Sequence, residues 1–255
     1  SRSTGLSSAT VSNIVRQLSE AGLVKTEPTT SSGRRALSVR LNDNGAVAAG
    51  IDIGRRHVRV VLATLGYRIV GEDSISLPAG HSADEGMDAA AELFDSVLRD
   101  AGVDRDRVLG AGVGIPGPID RRSGTVVRGA ILPEWVGINM REDLAGRLKV
   151  PVYIDNDADL GALAQVTWGP HGGCENLIFV KVATGIGAGL VINGALFYGH
   201  VGITGEIGHA TISDQGLICR CGNRGCLETV ASTATMIDLL SRAAAEPVTT
   251  ADIIS

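Results

Sequence analysis

Gly205-Glu206-Ile207-Gly208-His209, followed after nine residues by Cys219-Arg220-Cys221-Gly222-Asn223-Arg224-Gly225-Cys226-Leu227-Glu228, carries most of the information in this chain. Within it His209, Cys219, Cys221 and Cys226 are spaced His-x9-Cys-x-Cys-x4-Cys. One imidazole and three thiols this close together match a structural zinc site, where four N and S ligands close a tetrahedron and leave no open position. The alternatives are buried thiols or a redox pair. A disulfide would need an oxidising compartment that nothing else in the sequence suggests. The expectation is a structural Zn2+.

Around this stretch, the 255 residues are 44% hydrophobic, enough to bury a core and too many for one small domain. Aromatics are only 3%, so that core must be filled mostly by Val, Ile, Leu and Ala. No apolar run approaches the ~20 residues of a membrane span, and the N-terminus lacks the charged-then-apolar pattern of a secretion signal. A cytoplasmic protein is expected. The net charge of −5 is unevenly spread: residues 1–45 carry six Lys/Arg against three Asp/Glu, net +3, leaving −8 for the rest. A basic head on an acidic body confines nucleic-acid contact to the head.

Upstream of the cysteine loop the pattern is strand and helix in alternation. Val47 to Ile53 is an apolar run leading into Asp52-Ile53-Gly54, with further strands at Val58–Ala63 and Arg68–Val70. A helix is predicted over Asp88–Ala101, a Gly-spaced strand over Val108–Ile115 and a second helix over Arg141–Leu148. Val150–Ile154 reads as a strand ending in Asp155-Asn156-Asp157, with a helix from Ala158. Leu177–Val182 and Ala188–Ile192 flank a Gly-rich turn. Strands interleaved with helices make the class α/β.

Taken together, the motifs name a family. Ile51-Asp52-Ile53-Gly54, Gly114-Ile115-Pro116-Gly117-Pro118-Ile119-Asp120, Asp155-Asn156-Asp157-Ala158, Ala183-Thr184-Gly185-Ile186-Gly187-Ala188-Gly189 and the cysteine loop occur in one order. The chain in this respect resembles the ROK family (repressor, open reading frame, kinase) over nearly its whole length. The resemblance implies an actin-like, sugar-kinase-type fold of two lobes with a cleft between them. It implies that the residues matching Asn156, Asp157, Glu206, His209 and Glu228 contact a sugar. In the family's kinases the Asp matching Asp157 takes the proton from the attacking hydroxyl, so it is the catalytic candidate if kinase activity is retained. An ionised carboxylate within reach of an alcohol is what such general-base work requires, although Asp155 to Asp157 would equally serve an Asx turn and helix cap. His209 would hold zinc through one nitrogen and present the other to the sugar.

For a nucleotide the resemblance nominates Asp52, Gly54, Thr184, Gly185 and Gly187. Here the chain departs from the kinase pattern. Gly and Thr after Asp-x-Gly are replaced by Arg55 and Arg56, and a long side chain obstructs a phosphate cradle, although two Arg also attract anions. Ala183 stands for the first Gly of the second loop, and Ala130-Ile131-Leu132-Pro133-Glu134-Trp135 lacks an Asn that the kinases carry near substrate. The family continues beyond the point where this chain stops, with a segment that contacts adenosine. ATP is therefore doubtful, and the body, 46–255, reads as a ROK sugar-binding domain lacking its C-terminal part.

The head, 1–45, begins with a turn at Gly5 and a helix capped by Ser7 or Ser8. Val11, Ile14, Val15 and Leu18 recur at helical spacing and should face a core. That leaves Ser8, Thr10, Ser12, Asn13 and Arg16 on or near the exposed face, suited to a major groove. Ala21 to Glu27 reads as a helix stop leading into a short strand, and Leu37–Leu41 as a second strand, joined by a bend whose Arg34 and Arg35 are placed to neutralise phosphates. The plain alternative is a helix and hairpin that merely pack on the body. The resemblance favours a winged helix-turn-helix whose first helix is missing, because the family's repressors carry one before the Asp-x-Gly strand. The basic head and the Arg55-Arg56 replacement favour a sugar-responsive repressor, acting as a homodimer or homotetramer on operator DNA with a sugar or sugar-phosphate effector; the alternative is an ATP-dependent sugar kinase of glucokinase or N-acetylhexosamine-kinase type.

Overall fold

Strict alternation builds the first sheet. Val47, Ala49, Ile51 and Ile53 of β3 (Val47–Ile53) are buried, as are Val58, Val60 and Leu62 of β4 (His57–Thr64). The computed structural model of the protein describes residues 5–31, 34–127, 133–170, 172–200, 203–244, 247–249 and 252–253. Its five-stranded sheet has the order β5-β4-β3-β6-β9, where β5 is Ile69–Ser76, β6 is Val108–Ile115 and β9 is Val152–Asn156. β3, β4 and β5 form an antiparallel meander, while β6 pairs parallel with both β3 and β9.

Helix α2 (Ala83–Asp100) covers one face of this sheet with Met87, Ala90, Phe94 and Val97, which recur at helical spacing, and α3 (Met140–Leu148) adds Leu144 and Leu148. Each of these side chains except Ala90 contributes roughly 1.5–3 kcal/mol on leaving water. α2 starts five residues before the predicted Asp88 because Ser82 and Glu85 form a reciprocal capping box ahead of it. Trp135 is fully buried in this core, edge-on to His81 at 5.6 Å between ring centroids. Ala130, Ile131 and Leu132, the rest of the variant kinase motif, lie outside the described residues.

A second sheet is formed by β10 (Leu177–Val182), β11 (Ile186–Ile192) and β12 (Ala195–Leu196), all antiparallel. Helix α4 (Asp157–Trp168) leaves the end of β9 and packs on β10 and β11. A Cβ on Gly189 would lie 2.3 Å from the Ala158 carbonyl oxygen, so that glycine is what lets strand and helix approach. At its far end α4 returns to the first sheet, where Trp168 sits 5.1 Å from the ring of Tyr67 in the β4–β5 turn.

The N-terminal part is a helix, α1 (Ser8–Glu20), and an antiparallel hairpin of β1 (Val24–Ser31) and β2 (Arg34–Leu41). Ser7 is the N-cap, accepting a hydrogen bond from the Thr10 backbone N–H at 3.1 Å. The expected core face of α1 is not buried. Val11 and Val15 are half-covered, Ile14 and Leu18 remain 40% and 36% exposed, and Leu37, Val39 and Leu41 of β2 are exposed as well. One helix on a two-stranded hairpin has too little surface to enclose both apolar faces. No helix among the described residues is long and apolar enough to cross a membrane.

Candidate functional site

Parallel register gathers the site. β3 sets Asp52 beside Gly114 of β6, and β6 sets Gly114 beside Asp155 and Ile115 beside Asn156 of β9. Three strand ends therefore deliver their polar residues to one edge of the sheet, the position where crevices form in open α/β folds. A cavity of about 650 Å³ opens there. Its first-sheet wall is Gly54 to His57, Pro116 to Pro118, Asn156 and Asp157. The opposite wall is Lys181, Ala183 to Gly187, Glu206, His209, Arg220, Cys221 and Glu228.

All five residues nominated for a sugar, Asn156, Asp157, Glu206, His209 and Glu228, line this one cavity. Asn156 also holds the local fold: its Oδ1 accepts from the backbone N–H of Ala158 (2.8 Å) and Asp159 (3.3 Å), and its Nδ2 donates to Gly117 O at 3.0 Å. It is the N-cap of α4, so the cap reading and the cavity position coexist in one side chain. Asp157 accepts from Lys181 Nζ at 2.6 Å. Burial pushes the Asp157 carboxyl above its ordinary value; Lys181 opposes the shift and the Asp52 charge adds to it. Lys181, the lone charge in an apolar strand, was the signal that sequence reading passed over.

The loop carrying Glu206 and His209 is pressed onto β11. Ala188 N–H donates to Gly205 O at 2.8 Å, and Gly205 has φ +84° with no space for a side chain: a Cβ would lie 1.6 Å from the Ala188 oxygen. His209 then turns two ways. Its Nδ1 faces the thiols, 3.6 Å from Cys219 Sγ, while its Nε2 lies 3.6 Å from the Glu206 carboxylate. Burial raises Glu206 above the usual carboxylate range; His209 counters it and the Glu228 charge reinforces it.

The ligand atoms of His209, Cys219, Cys221 and Cys226 all fall within 4.8 Å of one another. Cys221 and Cys226 sulfurs are 3.7 Å apart, and a tetrahedron with metal–sulfur bonds of about 2.3 Å has edges of about 3.8 Å. The donor set and its dimensions fit a metal ion. Buried Glu228 abuts the cluster, 3.1 Å from Cys219 Sγ and 3.5 Å from Arg220 Nε, so one carboxylate joins metal loop and cavity. The fourth cysteine, Cys174, is exposed and outside the cluster, so the chain's thiols are not all gathered in the metal loop.

Of the nucleotide candidates, Gly54, Thr184, Gly185 and Gly187 line the same cavity, with residues 183–185 forming the turn between β10 and β11. Asp52 lies beside them, paired with His57 Nε2 at 2.9 Å. Burial works against ionisation of Asp52, but the His57 hydrogen bond and the Lys181 charge bring its carboxyl below the usual range. Arg55 and Arg56 project into the cavity where the kinase pattern has small residues.

Behind the cavity lies a cluster that local pattern reading missed. Asp155 accepts from the Tyr198 hydroxyl at 2.9 Å and pairs with Arg121 at 3.1 Å, and the Arg121 guanidinium stacks on the Tyr198 ring at 3.7 Å. Arg121 belongs to the turn between β7 (Ile119–Asp120) and β8 (Thr125–Val126), and Tyr198 follows β12, so the cluster ties the two sheets together. Buried Asp159 sits beside it with Oδ1 unpartnered among the described residues, its carboxyl pushed up to about 7 by burial and by Asp155.

In the head, Ser8, Thr10, Ser12, Asn13 and Arg16 are all exposed on α1. Thr10 shares a hydrogen bond with Ser7, and Arg16 donates to Asn13 Oδ1 at 2.8 Å. Arg35 is exposed and paired in register with Thr30; Arg34 is opposite Ser31, and the tip, 32–33, lies outside the described residues.

Residues 48–255 match the model of the ROK family. Among curated proteins the chain is similar to the xylose repressor of Caldicellulosiruptor bescii, 33% identical over 239 residues, covering 93% of this chain and 60% of that protein. It is likewise similar to the DNA-binding transcriptional dual regulator NagC of Escherichia coli K12, 33% identical over 241 residues, covering 91% and 57%. The chain thus spans less than two thirds of the length of these relatives. Among solved structures, a ROK family glucokinase from Streptomyces griseus in complex with glucose and AMPPNP superposes with a TM-score of 0.71 at 26% identity, over 78% of this chain and 62% of that one. A ROK family transcriptional regulator, a homologue of the E. coli MLC protein, gives 0.75 at 25%, over 100% and 65%. The fold is the α/β, sugar-kinase-like one, and with its family model matched from residue 48 to residue 255 the chain belongs to the ROK family.

Proposed function

We propose that the chain is the DNA-binding and effector-sensing part of a sugar-responsive transcriptional repressor. The observation that carries this reading is the pairing of one cavity, lined by Asn156, Asp157, Glu206, His209 and Glu228, with an exposed helix and basic hairpin on the same chain. A polyol needs several donors and acceptors at once, and those five side chains supply them. Residues 1–45 would act as a winged helix-turn-helix, reading bases through Ser8, Thr10, Ser12, Asn13 and Arg16 and phosphates through Arg34 and Arg35. Residues 46–255 would hold the sugar or sugar phosphate, with a structural Zn2+ on His209, Cys219, Cys221 and Cys226 fixing the His209 ring. Two or four copies would address a pseudo-palindromic operator. Similarity to a xylose repressor and to the transcriptional regulator NagC supports the assignment.

A kinase reading has one observation in its favour: Asp157, a carboxylate raised by burial, shares its cavity with Thr184, Gly185 and Gly187. Against it, Lys181 already occupies one oxygen of Asp157, and Arg55 and Arg56 fill the first phosphate loop. The test is DNA selection from a random pool followed by anisotropy titration with and without sugars, run beside a sugar-dependent ADP-release assay with Asp157→Asn as control. Sequence-selective binding that a sugar alters, without turnover, is the expected outcome. Turnover that Asp157→Asn abolishes would make the chain a kinase instead. Neutralising Arg34 and Arg35 together should lower the salt slope of DNA binding by about 2, and an unchanged slope would remove the hairpin from the account.

A further inference from the structure

Three guanidiniums converge on the cavity. Arg55 and Arg56 come from the β3–β4 turn and Arg220 from the metal loop, facing the same space from opposite walls. The side chains of Arg55 and Arg56 make no hydrogen bond or ion pair with any described residue, although Arg55 is partly buried. Burial, then the charge of Arg220, then that of Arg56, all disfavour the charged form of Arg55. Like charges held together in a partly dehydrated cleft are unfavourable unless an anion joins them.

The nearby carboxylates do not fill that role. Asp157 is paired with Lys181 at 2.6 Å, and Asp52 with His57 at 2.9 Å. Lys181 neutralises Asp157, and the His57 ring already occupies an oxygen of Asp52, so neither carboxylate is turned toward the arginines. Of the three arginines Glu228 meets Arg220, at 3.5 Å, and its carboxylate is shared with Cys219 and His209. A sugar hydroxyl, being neutral, is satisfied by a single donor or acceptor and gives three cations no reason to converge. A phosphate monoester does: its three terminal oxygens accept the forked donors of several guanidiniums at once.

We infer that the effector is a phosphorylated sugar, its ring on the Asn156, Glu206 and His209 side of the cavity and its phosphate on Arg55, Arg56 and Arg220. The inference rests on the sugar-sensor reading above and narrows it to one ligand class. The replacement that spoils a nucleotide cradle is then the feature that creates an effector site, since an ester carries its own phosphate and needs no adenosine contacts.

The experiment is calorimetric titration of the chain with glucose, N-acetylglucosamine and xylose, each beside its terminal phosphate monoester, with inorganic phosphate and ATP as further probes. At least one ester should bind about tenfold or more tightly than its parent sugar, and Arg55→Gln/Arg56→Gln should erase that advantage while leaving the parent sugar within about twofold. Arg56→Gln alone, at an exposed position, gives a partial loss and guards against misfolding of the double variant. A parent sugar that binds as tightly as its ester, or an ester preference that survives the double substitution, overturns this inference and leaves the sensor standing. ATP binding that depends on these arginines, without ester preference, assigns them to a nucleotide and also overturns it. Failure of every sugar and ester to bind overturns the sensor reading as well.

Discussion

The metal loop and the N-terminal helix are both short, polar-looking stretches, yet they keep their shape by opposite means. In the loop, Cys219, Cys226 and Glu228 are buried, and four donor atoms converge within 4.8 Å. In α1 no residue is buried, and order comes from a cap, an i,i+3 hydrogen bond and an i,i+4 ion pair at the surface. The loop spends its side chains inward on one geometry; the helix leaves its polar face free and half its apolar face open. The first suits a region that must hold an arrangement, the second a region whose surface is completed by something it meets.

Substitutions test that contrast in descending order of effect. Cys226→Ser, or chelation of the intact chain, should abolish metal content and cost the body on the order of 5 kcal/mol, followed by metal analysis and denaturant melts. An unshifted melt would separate the loop's order from any metal. Leu62→Ala in the first sheet should cost about 2–5 kcal/mol, against under about 1 for Leu18→Ala on α1. Equal costs would show that the α1 face is covered in solution.

Asp159 offers a pH handle on the body alone. Its carboxyl, raised to about 7 chiefly by burial, keeps a proton in the folded chain that the unfolded chain has lost. Stability should therefore fall as pH rises from about 4 to about 7, then level off. Asp159→Asn should melt higher than the parent chain at pH 8, by roughly 1–3 kcal/mol, and about equally near pH 4. A difference that does not grow with pH would mean Asp159 is already ionised at little cost. The smallest change expected is Ser7→Ala, about 1 kcal/mol of helix stability, read as a loss of helical circular dichroism in the head.

What was legible in the sequence was what repeats locally. The apolar run Val47–Ile53 and the Gly-spaced run Val108–Ile115 match strands end to end, and the His/Cys spacing pointed to a cluster that the fold does assemble. Helical spacing on α1 misled, because periodicity reports an apolar face and not whether anything covers it. Lys181, Arg121, Tyr198 and Asp159 were invisible for a different reason: each acquires its meaning from a partner on another element. Lys181 meets Asp157, and Tyr198 meets Asp155, through contacts that no local window contains. The start of α2 was available in Ser82 and Glu85, but the small residues that follow weaken the apolar signal.

The contact between Tyr67 and Trp168 has a use of its own. The chain has two tryptophans: Trp135 is sealed in the first lobe, and Trp168 is 58% exposed, with its ring tilted 54° to Tyr67 at the joint between β4–β5 and the end of α4. Emission from Trp135 forms a steady background, whereas the colour and intensity of Trp168 follow the spacing of that joint. A ligand that rocks one sheet against the other will write its arrival into the fluorescence of the unlabelled protein, and a ligand that merely docks will leave the spectrum as it was.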